Sequence, residues 1–256
     1  MRMSNVVAGV LAAVAGLSCF SAPALAASGA ALARDVVVQV HEVGMEVSMM
    51  VYDESSEIYR RQARARLDGL DAPMKQVLAE LGTRDAAQAA AATEYWRMIQ
   101  GSLKGGRDFG AGILNTGYEA KIHGDFDASS QQLTDLLTKA WKLLEKNNAP
   151  EARAELLAAK IVSNYVQISG SPFGSFTLSS NTDDSDLAKG VAQLDALLAE
   201  LAVKYEKDKE KLAKLKRIGA KWQFIRTTIL KAGSQATPYI VYKHGGDIMR
   251  ELATLR

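Results

Sequence analysis

The chain holds three histidines, and two of them stand beside glycine and aspartate, as His123-Gly124-Asp125 and His244-Gly245-Gly246-Asp247; the third is His41. Imidazole and carboxylate in matching places could supply paired metal ligands, but each triplet also reads as a polar, glycine-containing break in helical sequence, and that account is the simpler one. HExxH and CxxCH are both missing, which removes the common zinc-hydrolase signature and covalent haem attachment. A haem held by a histidine and a methionine is the remaining cofactor alternative, yet methionines at helical spacing usually pack a core. Asn181, Asp183 and Ser185 begin like a calcium loop, but Asp186 stands where the turn needs glycine and Ala192 where it needs a bidentate glutamate. No GxSxG, P-loop or GxGxxG context occurs. The sequence therefore assigns no catalytic residue, no cofactor and no metal ligand.

Arginine offers a binding chemistry instead. Arg60, Arg61, Arg64 and Arg66 crowd one stretch, with Arg60 and Arg64 on one helical face. Guanidinium groups aimed between helices hold a small anion bidentately. The competing account is a solvated basic face neutralised by Asp53, Glu54 and Glu57. Trp96 and Trp222 are the aromatic candidates for a ligand cage, or else core anchors. The binding residues expected from sequence are Arg60, Arg64, Trp96 and Trp222.

These groups sit on elements that repeat. Ala65-Arg66-Leu67-Asp68-Gly69-Leu70 is echoed by Ala192-Gln193-Leu194-Asp195-Ala196-Leu197, and Trp96-Arg97-Met98-Ile99 by Trp222-Gln223-Phe224-Ile225. Leu103-Lys104-Gly105-Gly106 returns as Leu230-Lys231-Ala232-Gly233. The near-constant register predicts a duplicated helical unit, with a first half over 27–149 and a second over 150–256.

An export signal precedes both halves. Met1 to Asn5 is a short positive region, Val6 to Phe20 an apolar run, and Ala24-Leu25-Ala26 a small-x-small cleavage pattern. Residues 1–26 are read as a signal peptide, with the mature chain starting near Ala27 in the periplasm or medium. The apolar run is short for a membrane span, and Gly16 replaces the leucine that a lipoprotein signal places three residues before Cys19. Loss of Arg2 leaves 30 Lys+Arg against 29 Asp+Glu, a balance that implies neither nucleic acid nor an anionic membrane. Cleavage also removes the single cysteine, and with it disulfides and thiolate metal sites. No second apolar run reaches membrane length.

Helical periodicity fills the rest. Leu187, Val191, Leu194, Leu198, Leu201, Tyr205, Leu212, Leu215, Trp222, Ile225 and Ile229 predict one helix of about 40 residues, roughly 60 Å long, its stripe interrupted at Asp208 and Gly219. A first helix is predicted from Asp35 through Arg66, continuing past Pro73 toward Leu81. Thr83 or Asp85 should cap the next helix, which carries Trp96 and Ile99. Ser129 or Ser130 should open another that ends near Asn148, and Pro150 and Pro238 suit the first turns of two more. Residues 169–184 lack a period and read as a crossover connection or a lid. The expected fold is all-α, an elongated bundle of two related helical halves.

One family resemblance follows. Leu156-Leu157-Ala158-Ala159-Lys160-Ile161-Val162-Ser163-Asn164-Tyr165, a loop, a long charged helix, Trp222-Gln223-Phe224-Ile225 and a closing helix with Ile248 and Leu252 resemble the periplasmic helical sensor domain of type IV pilus chemoreceptors and nitrate/nitrite sensor kinases. It covers 150–256, with 36–147 as a divergent copy. The family's arginine-containing anion-binding helix has no counterpart here, so no ligand residue is carried over. The resemblance implies an exported helical module that senses or binds, working through a separate membrane sensor or envelope protein; the favoured function is noncatalytic, binding a small molecule or a protein partner in the periplasm. The alternative is a structural or adaptor protein of the envelope without a small ligand, and an enzyme comes third.

Overall fold

The computed structural model describes residues 29–53, 57–103, 120–170, 184–231 and 237–256, with side chains for all but 120–123, 170, 184 and 185. The segment expected to be a signal peptide, the glycine-rich stretch over 105–112, residues 171–183 of the aperiodic segment and the side chain of His123 lie outside the described residues. Eight helices are described: α1 Gly29–Tyr52, α2 Glu57–Arg84, α3 Ala86–Ser102, α4 Ala120–Ala140, α5 Pro150–Gly170, α6 Asp184–Lys204, α7 Lys209–Ile229 and α8 Pro238–Ala253. The fold is all-α. No helix among the described residues is long and apolar enough to cross a membrane.

The helices close two rings. In the first, α1 and α3 each pack on α2 and α4; in the second, α5 and α7 each pack on α6 and α8. The rings join where α1 lies along α5. Arg256 ties Asp35 to Glu155 at one level, and Gly44 meets Ser163 and Gln167 further along, so the two helices run parallel. Each serves both its own ring and the junction, which explains why Val37, Val38, Met45 and Met49 are buried on other faces of α1 besides the stripe of Val36, Val40, Val43, Val47 and Val51. The sequence echoes fall on the second and third helix of each ring: Ala65–Leu70 on α2 and Ala192–Leu197 on α6, Trp96–Ile99 on α3 and Trp222–Ile225 on α7.

Two long helices expected from periodicity are each folded back. The stripe from Leu187 to Ile229 is divided at Tyr205–Asp208, and Asp208 caps α7 by accepting a hydrogen bond from the Lys211 N–H at 3.0 Å. Both arms face one core, and the apolar period resumes after the turn, with only the charged stretch from Glu206 to Lys211 marking the bend between Tyr205 and Leu212. Burial of Leu194, Leu201, Leu215 and Trp222 within one ring outweighs continuing a solvated rod. The 40-residue rod thus becomes two helices of 21 residues, each about 32 Å long. Likewise α1 ends at Tyr52 and α2 starts at Glu57. Helix α2 does run past Pro73; the missing N–H removes one ladder bond, while Leu70, Met74, Val77 and Leu81 stay buried on either side of it.

The punctuation residues behave unevenly. Asp85, rather than Thr83, caps α3 through the Gln88 N–H at 2.9 Å, and Pro150 and Pro238 occupy first turns. Ser129 and Ser130 do not open a helix. They lie inside α4 and return their hydroxyls to the carbonyls of Asp125 and Asp127, the back-bonding that lets serine sit in a helix interior. Helix α4 ends at Ala140 instead of Asn148, in a turn where Lys142 takes φ 53° and the Asn148 amide donates to the Lys142 carbonyl at 2.7 Å.

Gly245 of α8 sits directly against Val162 of α5. A Cβ there would lie 2.7 Å from Val162 Cγ2 and 3.1 Å from its Cβ, and a β-branched side chain has few ways to retreat. Gly245→Ala should lower stability by about 1–2 kcal/mol, overpacking outweighing the ~1 kcal/mol gain in helix propensity. At Gly246 a Cβ meets only the end of Arg250, at 3.4 Å, so Gly246→Ala should leave stability equal or raised. Thermal melts of the two variants compare them directly.

Candidate functional site

On one flank of the α1/α5 junction, α2 and α8 rise as walls around a polar groove. Its larger lobe, of about 410 Å³, is lined by Asp35, Glu42, Arg66, Glu155, Arg250 and Arg256 among others. A smaller adjoining lobe of about 180 Å³ shares Glu42, Arg66 and Arg250 and adds Glu46, Gln62, Tyr242 and Lys243. Both rings therefore contribute charged groups to one cavity.

Arg66 organises it. From α2 its Nη2 donates to Glu46 Oε1 at 3.0 Å and its Nε to the same oxygen at 3.2 Å, while Nη1 pairs closely with Glu42. Glu42 and Glu46 are one helical turn apart on α1, so both carboxylates reach the same guanidinium. Glu46 is only 2% exposed. Burial pushes its carboxyl up to about 7, with Arg66 pulling it back and the neighbouring Glu42 raising it further. Burial also raises Glu42 and Glu155 above the ordinary carboxylate range, against the pull of Arg66 and Arg256 respectively. For Arg66 itself burial disfavours the charge, but its bonds to Glu46 and the charges of Glu46 and Glu42 outweigh that and hold its pKa above the usual value.

From α8, Tyr242 donates its hydroxyl to Gln62 Oε1 at 3.1 Å and meets the Tyr59 ring edge-on at 5.4 Å. Arg250 pairs with Asp247, which Lys221 of α7 holds at 3.3 Å. At the far end Arg256 spans Asp35 at 3.0 Å and Glu155 at 3.3 Å. Such a set of opposed charges in a half-closed groove can orient a small polar molecule. It presents neither a nucleophile with an adjacent base nor, among the described residues, three clustered metal-ligating side chains.

Proton linkage at Glu46 has a definite sign. Its folded-state pKa lies above the unfolded value of 4.5, so the folded form binds the extra proton and the stabilisation is complete below that value. It is lost as pH rises through about 7. The Glu46 contribution should fall by roughly 3 kcal/mol across that window, while His41, its pKa lowered to about 3, contributes in the opposite sense up to its unfolded value of 6.5; Glu46→Gln should remove only the falling part. Urea unfolding at a series of pH values measures both curves.

The residues expected from sequence are placed elsewhere. Arg60 and Arg64 lie on the outer side of α2, Arg60 3.7 Å from Glu57 and Arg64 3.9 Å from Asp68. Trp96 is buried in the first ring and Trp222 in the second. Trp222 Nε1 donates to Asp195 Oδ1 at 2.6 Å, and Arg226 Nε reaches Asp195 Oδ2 at 2.8 Å. None of the four lines the groove. Of the crowded arginines only Arg66 does, with partners 20 and 24 residues upstream. A signal for it was present: Glu42 and Glu46 interrupt the Val36 to Val51 run, where every neighbour is apolar, small or amide-like apart from His41. His41 is itself buried, and desolvation, aided by Lys160 and opposed by Asp135, lowers its pKa to about 3. His244 meets the Phe224 ring at 5.1 Å.

Compared with family models, curated proteins and solved structures, the chain matches none.

Proposed function

We propose that this protein is an exported, noncatalytic binding module of the periplasm, built from two related helical halves. It takes a small polar molecule in the groove between α2 and α8 and passes the change to a membrane sensor or another envelope protein. The observation that carries the reading is that Arg66 of the first half and Arg250 of the second line both lobes of one groove. A ligand bridging them changes the spacing of the halves, which is what a sensor module needs. The resemblance of 150–256 to periplasmic sensor domains of type IV pilus chemoreceptors and nitrate/nitrite kinases supports the same reading. So does the fall of the sequence echoes on corresponding helices of the two rings.

Thermal-shift screening of small polar metabolites tests it, because a ligand at a hundred times its dissociation constant stabilises by ~2.7 kcal/mol. The shift should shrink in Arg250→Ala and Lys243→Ala, both at exposed positions on the groove wall. No shift from any compound, together with specific co-purification of an envelope protein, favours a structural or adaptor role instead. N-terminal sequencing of exported protein should give a start near Ala27; a retained leader would contradict the export reading.

A further inference from the structure

The opposite flank of the α1/α5 junction carries a second cleft, of about 300 Å³, walled by α4 of the first ring and α6 of the second and floored by α5. Its position mirrors that of the groove: there α2 and α8 stand over α1, here α6 and α4 stand over α5. The register agrees as well. With Ala65–Leu70 aligned on Ala192–Leu197, Arg66 falls on Gln193 and Gln62 on Lys189, and all four are lining residues. On the floor, Lys160 and Asn164 repeat the one-turn spacing of Glu42 and Glu46.

The chemistry has diverged. The half-buried three-way contact of Glu42, Glu46 and Arg66 is replaced by two separate ion pairs, Lys160 with Asp135 at 2.9 Å and Lys189 with Asp186 at 3.4 Å. Between them lie the apolar side chains of Ile161 and Leu187, both buried, and the amides of Asn164 and Gln193. The lysine and aspartate side chains are each more than a third exposed, so exchanging one partner for a ligand group carries little penalty. A ligand with one charge would engage only the lysines or only the aspartates and leave the other set unused. A molecule with both charges and an apolar body meets all three features at once.

We propose that the α4/α6 cleft is a second ligand site, equivalent in the fold to the groove, and that it takes a small zwitterion with an apolar side chain, of the free α-amino acid class. The ammonium lies against Asp135 and Asp186, the carboxylate against Lys160 and Lys189, and the side chain on Ile161 and Leu187. This rests on the reading of the protein as a binding module, but on different residues.

Isothermal titration of the full mature chain with L-leucine tests it, with isocaproate and isoamylamine as analogues that each lack one charge. Leucine should bind with one molecule per chain, each analogue at least about tenfold more weakly. Lys160→Met and Gln193→Leu should each weaken leucine by about tenfold or more with little change in melting temperature, and Arg250→Ala should leave leucine binding intact. Absence of leucine binding at millimolar concentration overturns the proposal, as do analogues binding equally well. Loss of leucine binding in Arg250→Ala but not in Lys160→Met also overturns it, and would place the ligand in the groove, leaving the first reading standing.

Discussion

Arg66→Met should destabilise the protein by about 3–5 kcal/mol at about pH 8, the range seen when one partner of a buried charge cluster is removed. The methionine fills most of the volume, so packing loss is small. What remains is Glu46 at 2% exposure and the half-buried Glu42, two carboxylates one turn apart with their shared guanidinium gone. Both would take up protons to stay folded. The deficit should therefore shrink toward about 1 kcal/mol at about pH 5, and the double variant Arg66→Met/Glu46→Gln should recover most of the loss at high pH. Denaturant unfolding of the four proteins at both pH values supplies the cycle. A loss that is equal at the two pH values, or that Glu46→Gln does not relieve, would mean that Arg66 acts through packing.

Trp222→Ala should lower stability by about 3–5 kcal/mol, as expected for truncating a fully buried large side chain. Trp222 is 0% exposed, and its loss also takes from Asp195 one of its two donors, leaving Arg226 alone. Trp222→Phe separates the effects, since it keeps most of the ring and removes only the Nε1 bond; about 1–2 kcal/mol should be lost. Phe224 is the internal control. It stands two residues away on α7 but is 60% exposed, and Phe224→Ala should change stability by less than about 1 kcal/mol. If the two alanine variants melt alike, α7 does not dock on the ring by the face described.

Local chemistry made much of this fold legible. The absence of strand alternation, the 3.6-residue period and the capping groups Asp85, Pro150 and Pro238 follow from interactions within a few residues, so the all-α class and several helix starts could be read directly. The hairpins at Tyr52–Glu57 and Tyr205–Asp208 could not. Neither carries the glycine or proline that usually marks a turn, and the apolar period resumes in the second arm of each; Asp208 breaks the stripe at one of them, but a polar residue at a core position reads the same in a rod as in a bend. Ser129 and Ser130 misled for a related reason: a serine that caps a helix and a serine that bonds back to the preceding turn have the same local sequence.

The site was legible only as a composition. Four arginines in seven positions announced a basic stretch, and periodicity chose Arg60 and Arg64 for sharing a face. Tertiary structure gave those two to solvent-side pairs within α2 and gave Arg66 to Glu42 and Glu46 across the α1/α2 hairpin. The sequence by itself determined which stretches are helical and which of their faces are apolar, because propensity, capping and periodicity act along the chain. Where those helices turn back, which charges meet between them, and how far burial lifts Glu46 were decided only in three dimensions, because Coulomb energy and desolvation depend on distance and burial in space rather than on separation in sequence.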